Sequence, residues 1–182
     1  VVKPEETHLE QPTGVNYNNR KGYTQKFLGA SVPVPLPQPS ENLIPDLATW
    51  GTHNENTVLP YTHFSVVMHA KRRLCIFSAV NINGKKSVAV KGKRPKWRYD
   101  NRIPVSQQVL KECYGLETEG RFSHGHMTRR EDPNWGTKTA VVQANTDTFH
   151  VTNACPQMQP FNAGIWNGLE DYALQNARQD DM

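Results

Sequence analysis

Apolar sequence is scarce in this chain. Residues of the hydrophobic set make up 36% of its 182 positions, and the mean hydropathy is −0.70. Long loops over a modest core are the expectation. No apolar run approaches the roughly 18 residues needed to span a bilayer, which excludes a membrane-spanning helix as a sequence expectation. The N-terminus, VVKPEETHLEQPTG, is polar and lacks the pattern of a secretory leader. It opens on Val and not Met, which points to a processed product or a domain of a longer protein. Cysteine is rare as well: Cys75, Cys113 and Cys155 stand far apart and form no C-x-x-C. A four-cysteine zinc site is thereby excluded. One disulfide with a thiol left over stays open, but free buried thiols are expected, and they fit a reducing compartment. No internal repeat is evident.

Positive charge is in excess. Lys and Arg number 21 against 17 Asp and Glu, a net charge of +4, and the isoelectric point is near 9.0. An acidic partner follows, nucleic acid first. Much of the charge falls in GKKSVAVKGKRPKWRYDNR, residues 84–102. This run reads either as a solvated edge or as a track for a phosphate backbone.

Residues 1–46 show little periodicity. SVPVPLPQPSENLIP places prolines at 33, 35, 37, 39 and 45; alternate prolines impose an extended path and forbid a helix. The segment 1–46 reads as an extended proline-rich arm on a core of 47–182. Regular structure is predicted to begin near Val58, with strands over Phe64–Met68 and Leu74–Ile82 joined by a turn at AKRR. Asn83-Gly84 predicts a further turn, followed by a short strand over Val88–Val90. RIPVSQQVLKECYG, 102–115, predicts a short helix from Pro104 to Gly115. A β-type run follows at DTFHVTNACPQ, broken by Pro156 and Pro160. FNAGIWNGLEDYALQNARQ, 161–179, predicts a helix that buries Phe161, Ile165, Leu169 and Tyr172. Gly164 and Gly168 weaken it and suggest close packing there. The predicted order around the key histidine is strands, a loop with His126, a strand, then a helix.

The chemistry centres on RFSHGHMTRREDPNWG, 121–136, where His124 and His126 flank Gly125. Together with DTFHVTNACPQMQPFNAGIWNGLEDYAL, this stretch resembles the DNA/RNA non-specific endonuclease family, whose site is the ββα-metal, or His-Me finger, element. The family pattern is Asp-Arg-Gly-His, then Asn-x-x-Pro-Gln, then an Asn opening a helix, then Leu-Glu. The matching residues here are His126, Asn153 with Pro156 and Gln157, Asn162, and Leu169-Glu170. NRKGY, LPYTHFSVVM and AVNING are also similar to the family, so the resemblance spans roughly residues 16–175. It implies an α+β fold with a twisted antiparallel sheet and the ββα-metal element in the C-terminal third.

The resemblance further implies that His126 is the general base, Asn162 the Mg²⁺ ligand and Glu170 its support. Asn153 and Gln157 become polar support for site and substrate, and the products are a 5′-phosphate and a 3′-hydroxyl. The residue types suit the task. Neutral imidazole accepts a proton near pH 7. Mg²⁺ takes oxygen donors and keeps several waters, so one amide oxygen suffices, and Mn²⁺ can substitute. Glu170 lies eight residues beyond Asn162, about two helical turns, in reach of a metal-bound water.

Two positions depart from the pattern. Ser123 stands for Asp and His124 for Arg. His124 is read as sitting where a phosphate-facing arginine is expected, with Arg129 or Arg130 taking over the permanent charge. Arg94 or Arg98 is the upstream arginine, and spacing does not choose between them. Activity is expected to be lower or more acid-favoured than with Arg at 124.

The remaining histidines, His8, His53, His63, His69 and His150, read as surface or satisfied core residues, and Trp135 and Trp166 as core. One rival is a nucleic-acid-binding module on the same fold with a weakened site. Another is a zinc hydrolase using His124, His126 and His150. A homodimer and a regulatory domain of a longer chain are both compatible with the sequence. So are a cytoplasmic effector and a processed secreted nuclease.

Overall fold

The computed structural model describes residues 14–116 and 119–179; His8 and the start of the arm lie outside them. Three strands, β1 (Val58–Pro60), β2 (Phe64–His69) and β3 (Leu74–Val80), form an antiparallel sheet in that order. Every residue of β2 is buried, because a central strand covered on both faces needs no polar side. That is why FSVVMH reads as a continuous run and not as an alternation. Tyr61, Phe64, Val66 and Met68 centre the core with Leu59, Ala48 and Ile103. The turn at 70–73 closes with Arg73 at φ 63°.

The second sheet is a pair. β4 (Ser123–His126) runs antiparallel to β5 (Ala154–Gln157), with His124 opposite Pro156 and His126 opposite Ala154. Helix α1 (Lys138–Asp147) lies between them in sequence. The chain ends in one long helix of three parts: α2 (Gln159–Phe161), a π turn over Asn162–Trp166, and α3 (Asn167–Gln179). Strands β4 and β5 followed by this helix are the C-terminal element that the resemblance implied. Among the described residues no helix is long and apolar enough to cross a membrane.

Several local expectations are corrected. Residues 88–90 form no strand; a bridge from Ser87 to Trp135, the Val88 N–H on the Asn134 carbonyl and Arg130 on the Val90 carbonyl tie this loop down. In 102–115 the only helical turn is the 3-10 segment Val105–Gln107. Gln108 is fully buried, and its Nε2 donates to the carbonyls of Asp100 and Ile103. Its side chain thus takes up backbone acceptors and the chain turns inward. The run at 147–157 does not start as a strand: it passes through a 3-10 turn, Val151–Asn153, before β5. His126 lies at the end of a strand and not in a loop. Pro156 does not break the chain but sits inside β5, which pairs with β4 alone, so its missing N–H faces no further strand.

The final helix also departs from its pattern. Its expected buried face is exposed, Ile165 at 79% and Tyr172 at 67%, and Leu174 is the buried residue of α3. Gly164 and Gly168 meet nothing within 4 Å, so no close packing explains them. The helix is held near its end, where a Cβ on Gly84 would fall 1.9 Å from the Ala177 carbonyl oxygen.

The arm is bound to the body by polar groups. Arg20 makes a two-point ion pair with buried Asp147, Nε to Oδ2 at 3.1 Å and one terminal nitrogen to Oδ1 at 3.0 Å. Tyr17 donates to His150 Nε2 at 2.8 Å, since Nδ1 of that ring already donates to the Asp147 carbonyl. Residues 28–35 beyond it are exposed.

Candidate active site

Alternation along β4 decides the site. Successive side chains point to opposite faces, so His124 and His126 share one face and Gly125 takes the other. The Gln157 side chain crosses that second face. A Cβ on Gly125 would fall 2.1 Å from Gln157 Oε1, so any side chain there would displace the buried Gln157. On the histidine face opens a cavity of about 480 Å³, lined among others by Arg94, Trp97, His124, His126, Asn162 and Glu170.

His126 sits deep in this cavity. Phe149 meets its ring edge-on at 5.0 Å and Trp97 tilts against it at 4.7 Å. Its Nε2 is buried without a hydrogen-bond partner. Burial, then the charges of Arg94 and Arg130, hold its pKa down to about 3. The ring is therefore neutral at pH 7, in the state that takes a proton. Glu170 comes from α3 with Oε1 likewise buried and without a hydrogen bond of normal geometry; burial raises its pKa, against the Arg129 charge and the Trp166 indole N–H. Asn162 lines the cavity from the π turn. It does not open the helix as expected, because Gln159 and Pro160 do.

His124 does not occupy the role of a phosphate-facing cation. Its ring is sandwiched between Tyr114 at 3.6 Å and Trp97 at 4.8 Å. Its Nε2 donates to the Leu110 carbonyl at 2.8 Å. Burial lowers its pKa, against the effect of that hydrogen bond. Both ring faces and Nε2 are committed, and the ring is neutral.

The arginines separate. Arg94 lines the cavity and is exposed, with no hydrogen bond or ion pair among the described residues. Arg98 is not among the cavity residues; its backbone pairs with Phe149 and Val151. Arg129 lines the cavity but is held by Asp171 at 2.5 Å. Arg130 also lines it, donating to Asn145 Oδ1 at 2.7 Å and to the Val90 carbonyl at 3.1 Å. It thereby ties the basic loop to the site. Asn153 and Gln157 are buried, and neither reaches the cavity. Asn153 accepts from the Thr128 N–H at 2.8 Å and donates to the carbonyls of Thr128 and Thr148. Its amide is spent on backbone, clamping the segment after β4.

Two residues at the site carry no motif. Trp97 touches both histidines. Asp132 has a buried, unpartnered Oδ1. Burial, then the Glu170 charge, raises its pKa to about 7. The one signal available for Asp132 was its place in Arg-Arg-Glu-Asp-Pro, directly after the histidine motif. The three-histidine zinc arrangement does not form. His150 is fully buried beneath Tyr17, and no group of three or more His, Cys, Asp or Glu among the described residues is placed to hold a metal ion.

A divalent cation does fit the cavity. Beside the arginines and histidines of its lining stand amide and carboxylate oxygens of Asn162, Asn167 and Glu170, the donor type that Mg²⁺ or Mn²⁺ prefers. The orphaned Glu170 Oε1 offers an acceptor to a coordinated water.

Known proteins share both sequence and fold. Residues 47–182 match the family model described as DNA/RNA non-specific endonuclease. The chain is 38% identical to the uncharacterized protein y4fB of Sinorhizobium fredii (strain NBRC 101917 / NGR234), over 91% of this chain and 26% of that protein. It is 32% identical to the mitochondrial nuclease EXOG of Danio rerio over 46% of this chain and 22% of that one. The chain thus spans about a quarter of the length of these relatives. The crystal structure of the EndoG/EndoGI complex, on the mechanism of EndoG inhibition, shares the fold with a TM-score of 0.56. It is 15% identical and covers 80% of this chain and 56% of that one. With the match across 47–182 and this shared fold, the chain belongs to the DNA/RNA non-specific endonuclease family.

Proposed function

We propose that the chain is a divalent-metal-dependent endonuclease that hydrolyses phosphodiester bonds of DNA, RNA or both with little sequence preference. The observation that carries the reading is the buried, unpartnered Nε2 of a neutral His126 facing the cavity that Asn162 and Glu170 also line. Buried polar groups are nearly always hydrogen-bonded, so an orphan at this place is a group kept for a substrate or its water.

In this reading His126 Nε2 takes a proton from a water as its oxygen attacks phosphorus. The bond to the 3′ oxygen breaks, and that oxygen takes a proton from solvent water, leaving a 3′-hydroxyl and a 5′-phosphate. Asn162 would hold the cation, Mg²⁺ or Mn²⁺, and Glu170 would accept a hydrogen bond from a water beside it. When bound, the cation neutralises charge on the phosphate oxygens. Arg94, uncommitted at the cavity mouth, supplies the fixed positive charge that His124 does not. Arg129 and Arg130 contribute field from held positions. Asn153 acts at one remove by clamping the segment after β4, and Gln157 by packing over Gly125. Lys91, Lys93 and Lys96, exposed on the loop before Trp97, extend the charge as a backbone track. Contacts of this kind position without reading bases.

The test is cleavage of supercoiled plasmid and single-stranded RNA with Mg²⁺, Mn²⁺ or EDTA, beside His126→Ala. Metal-dependent nicking that the variant loses, leaving 5′-phosphate ends, is the expected result. A second reading, a binding module with a weakened site, draws on the neutral His124 in place of arginine. It gives binding without cleavage under every ion.

A further inference from the structure

The final helix leaves its α register between Asn162 and Trp166, where five residues form a π turn. In an uninterrupted α-helix, residues five apart point about 140° away from each other. An i→i+5 register brings such residues close to one line. Asn162 and Asn167 are five apart, and both line the cavity with Glu170. The π turn lies between the two asparagines, and both reach the one cavity.

Asn167 has one end to spare. Its Nδ2 donates to Asp171 Oδ2 at 3.0 Å, and Arg129 donates to the other carboxylate oxygen, Oδ1, at 2.5 Å. A carboxylate only accepts, so Asp171 selects the NH₂ end of the amide, and Arg129 fixes Asp171 in turn. Asn167 Oδ1 is left as an acceptor with no partner among the described residues. Beside it in the cavity stands Glu170 Oε1, buried and equally unpartnered.

We propose that Asn167 Oδ1 is a further acceptor of the cation site, holding a water of the hydrated divalent ion, with Asp171 and Arg129 as its positioning pair. The proposal rests on the reading that Asn162 holds that ion. It gives Arg129 a role other than phosphate contact. It also gives the π turn a purpose, since an α register would carry Asn167 away from Asn162.

Mn²⁺ binding, followed by the electron paramagnetic resonance of the free ion, tests it without any substrate. Wild type, Asn162→Ala, Asn167→Ala and Asp171→Ala are compared, with melting temperature in EDTA as the check on folding. Asn167 is exposed on a helix, where alanine is well tolerated. Loss of one hydrogen bond predicts Mn²⁺ binding weaker by about five-fold in Asn167→Ala. A smaller loss is expected in Asp171→Ala, and near-complete loss in Asn162→Ala. Wild-type affinity in Asn167→Ala beside lost affinity in Asn162→Ala overturns the proposal and leaves the parent reading standing. Wild-type affinity in Asn162→Ala overturns the parent reading and the proposal with it.

Discussion

Two sets of buried polar groups in this molecule are built on opposite rules. Beneath the sheet, Asp100 is fully buried yet receives Arg102 Nε at 3.0 Å and a terminal nitrogen at 2.6 Å, with the Tyr61 hydroxyl beside them. The Arg102 guanidinium lies 3.9 Å from the Tyr17 ring centre, and Arg20 pairs with Asp147. At the cavity, by contrast, His126 Nε2 and Glu170 Oε1 in its lining, and Asp132 Oδ1 within the field of Glu170, are buried and unbonded. The first cluster spends its polar groups on the fold. The second withholds them, at a cost in stability, for something that arrives later. Burial of polar groups therefore does not mark a site; unpartnered buried atoms that face one cavity, as His126 Nε2 and Glu170 Oε1 do, point to it.

The largest expected effect comes from removing the withheld base. His126→Ala should lower cleavage by about 10²- to 10⁴-fold while the melting temperature holds or rises. A fall in stability that matched the loss of activity would erase the contrast between the clusters. Breaking the satisfied cluster should do the reverse. Arg102→Met leaves Asp100 buried and unpaired, a change that costs about 3–5 kcal/mol, measured by urea unfolding. Activity of the fraction that remains folded should be near that of the wild type.

The pH dependence of stability sharpens the same contrast. His63, His124, His126 and His150 all have lowered pKa values with burial as the first cause. The unfolded chain thus binds protons that the folded chain refuses, and stability should fall as pH drops below about 6.5. Asp132 acts the other way. With its pKa raised to about 7, the folded state keeps a proton that the unfolded state has released. Its share of stability is present in acid and is lost as pH rises from about 4 towards 7. Asp132→Asn should therefore raise the melting temperature at pH 8 and change it little at pH 4. Because His124 is neutral and stacked, no acid optimum is expected from it, contrary to the expectation from sequence. His124→Arg should disrupt the Tyr114 and Trp97 stack and lower stability, where a phosphate-facing position would have accepted arginine. The smallest effect is expected at Arg94→Ala, which should reduce the salt slope of nucleic-acid binding by about 1.

What the sequence made legible was what hydrophobic pattern and motif encode. β2 and β3 were readable because β-branched and aromatic runs end at turn residues, and the last helix because its apolar residues recur at helical spacing. Helix α1 was not readable. Its buried side includes Asn145 and Asp147, which serve Arg130 and Arg20, so no apolar stripe announces it. The segment at 102–115 looked helical from Pro104 and Gly115, but Gln108 claims the backbone acceptors. At the site, His126, Asn162 and Glu170 were identified through the resemblance, and the structure brings them to one cavity. Trp97, Asp132 and Asn167 were not, because each owes its place to a tertiary contact or to a helix register that spacing does not display. The helix face of Phe161, Ile165, Leu169 and Tyr172 shows the same limit: spacing predicted a stripe correctly and its burial wrongly.

The docked arm has a practical consequence for anyone trimming this chain. A polypeptide begun at residue 47, where the family match starts, would lose Tyr17 and Arg20. Asp147 would then be a buried carboxylate without its cation, and His150 would lose the donor to Nε2. Such a shortened protein keeps every residue assigned to catalysis and still should be recovered as aggregate. The shortest useful boundary lies upstream of Asn16, whose carbonyl also accepts from Arg20.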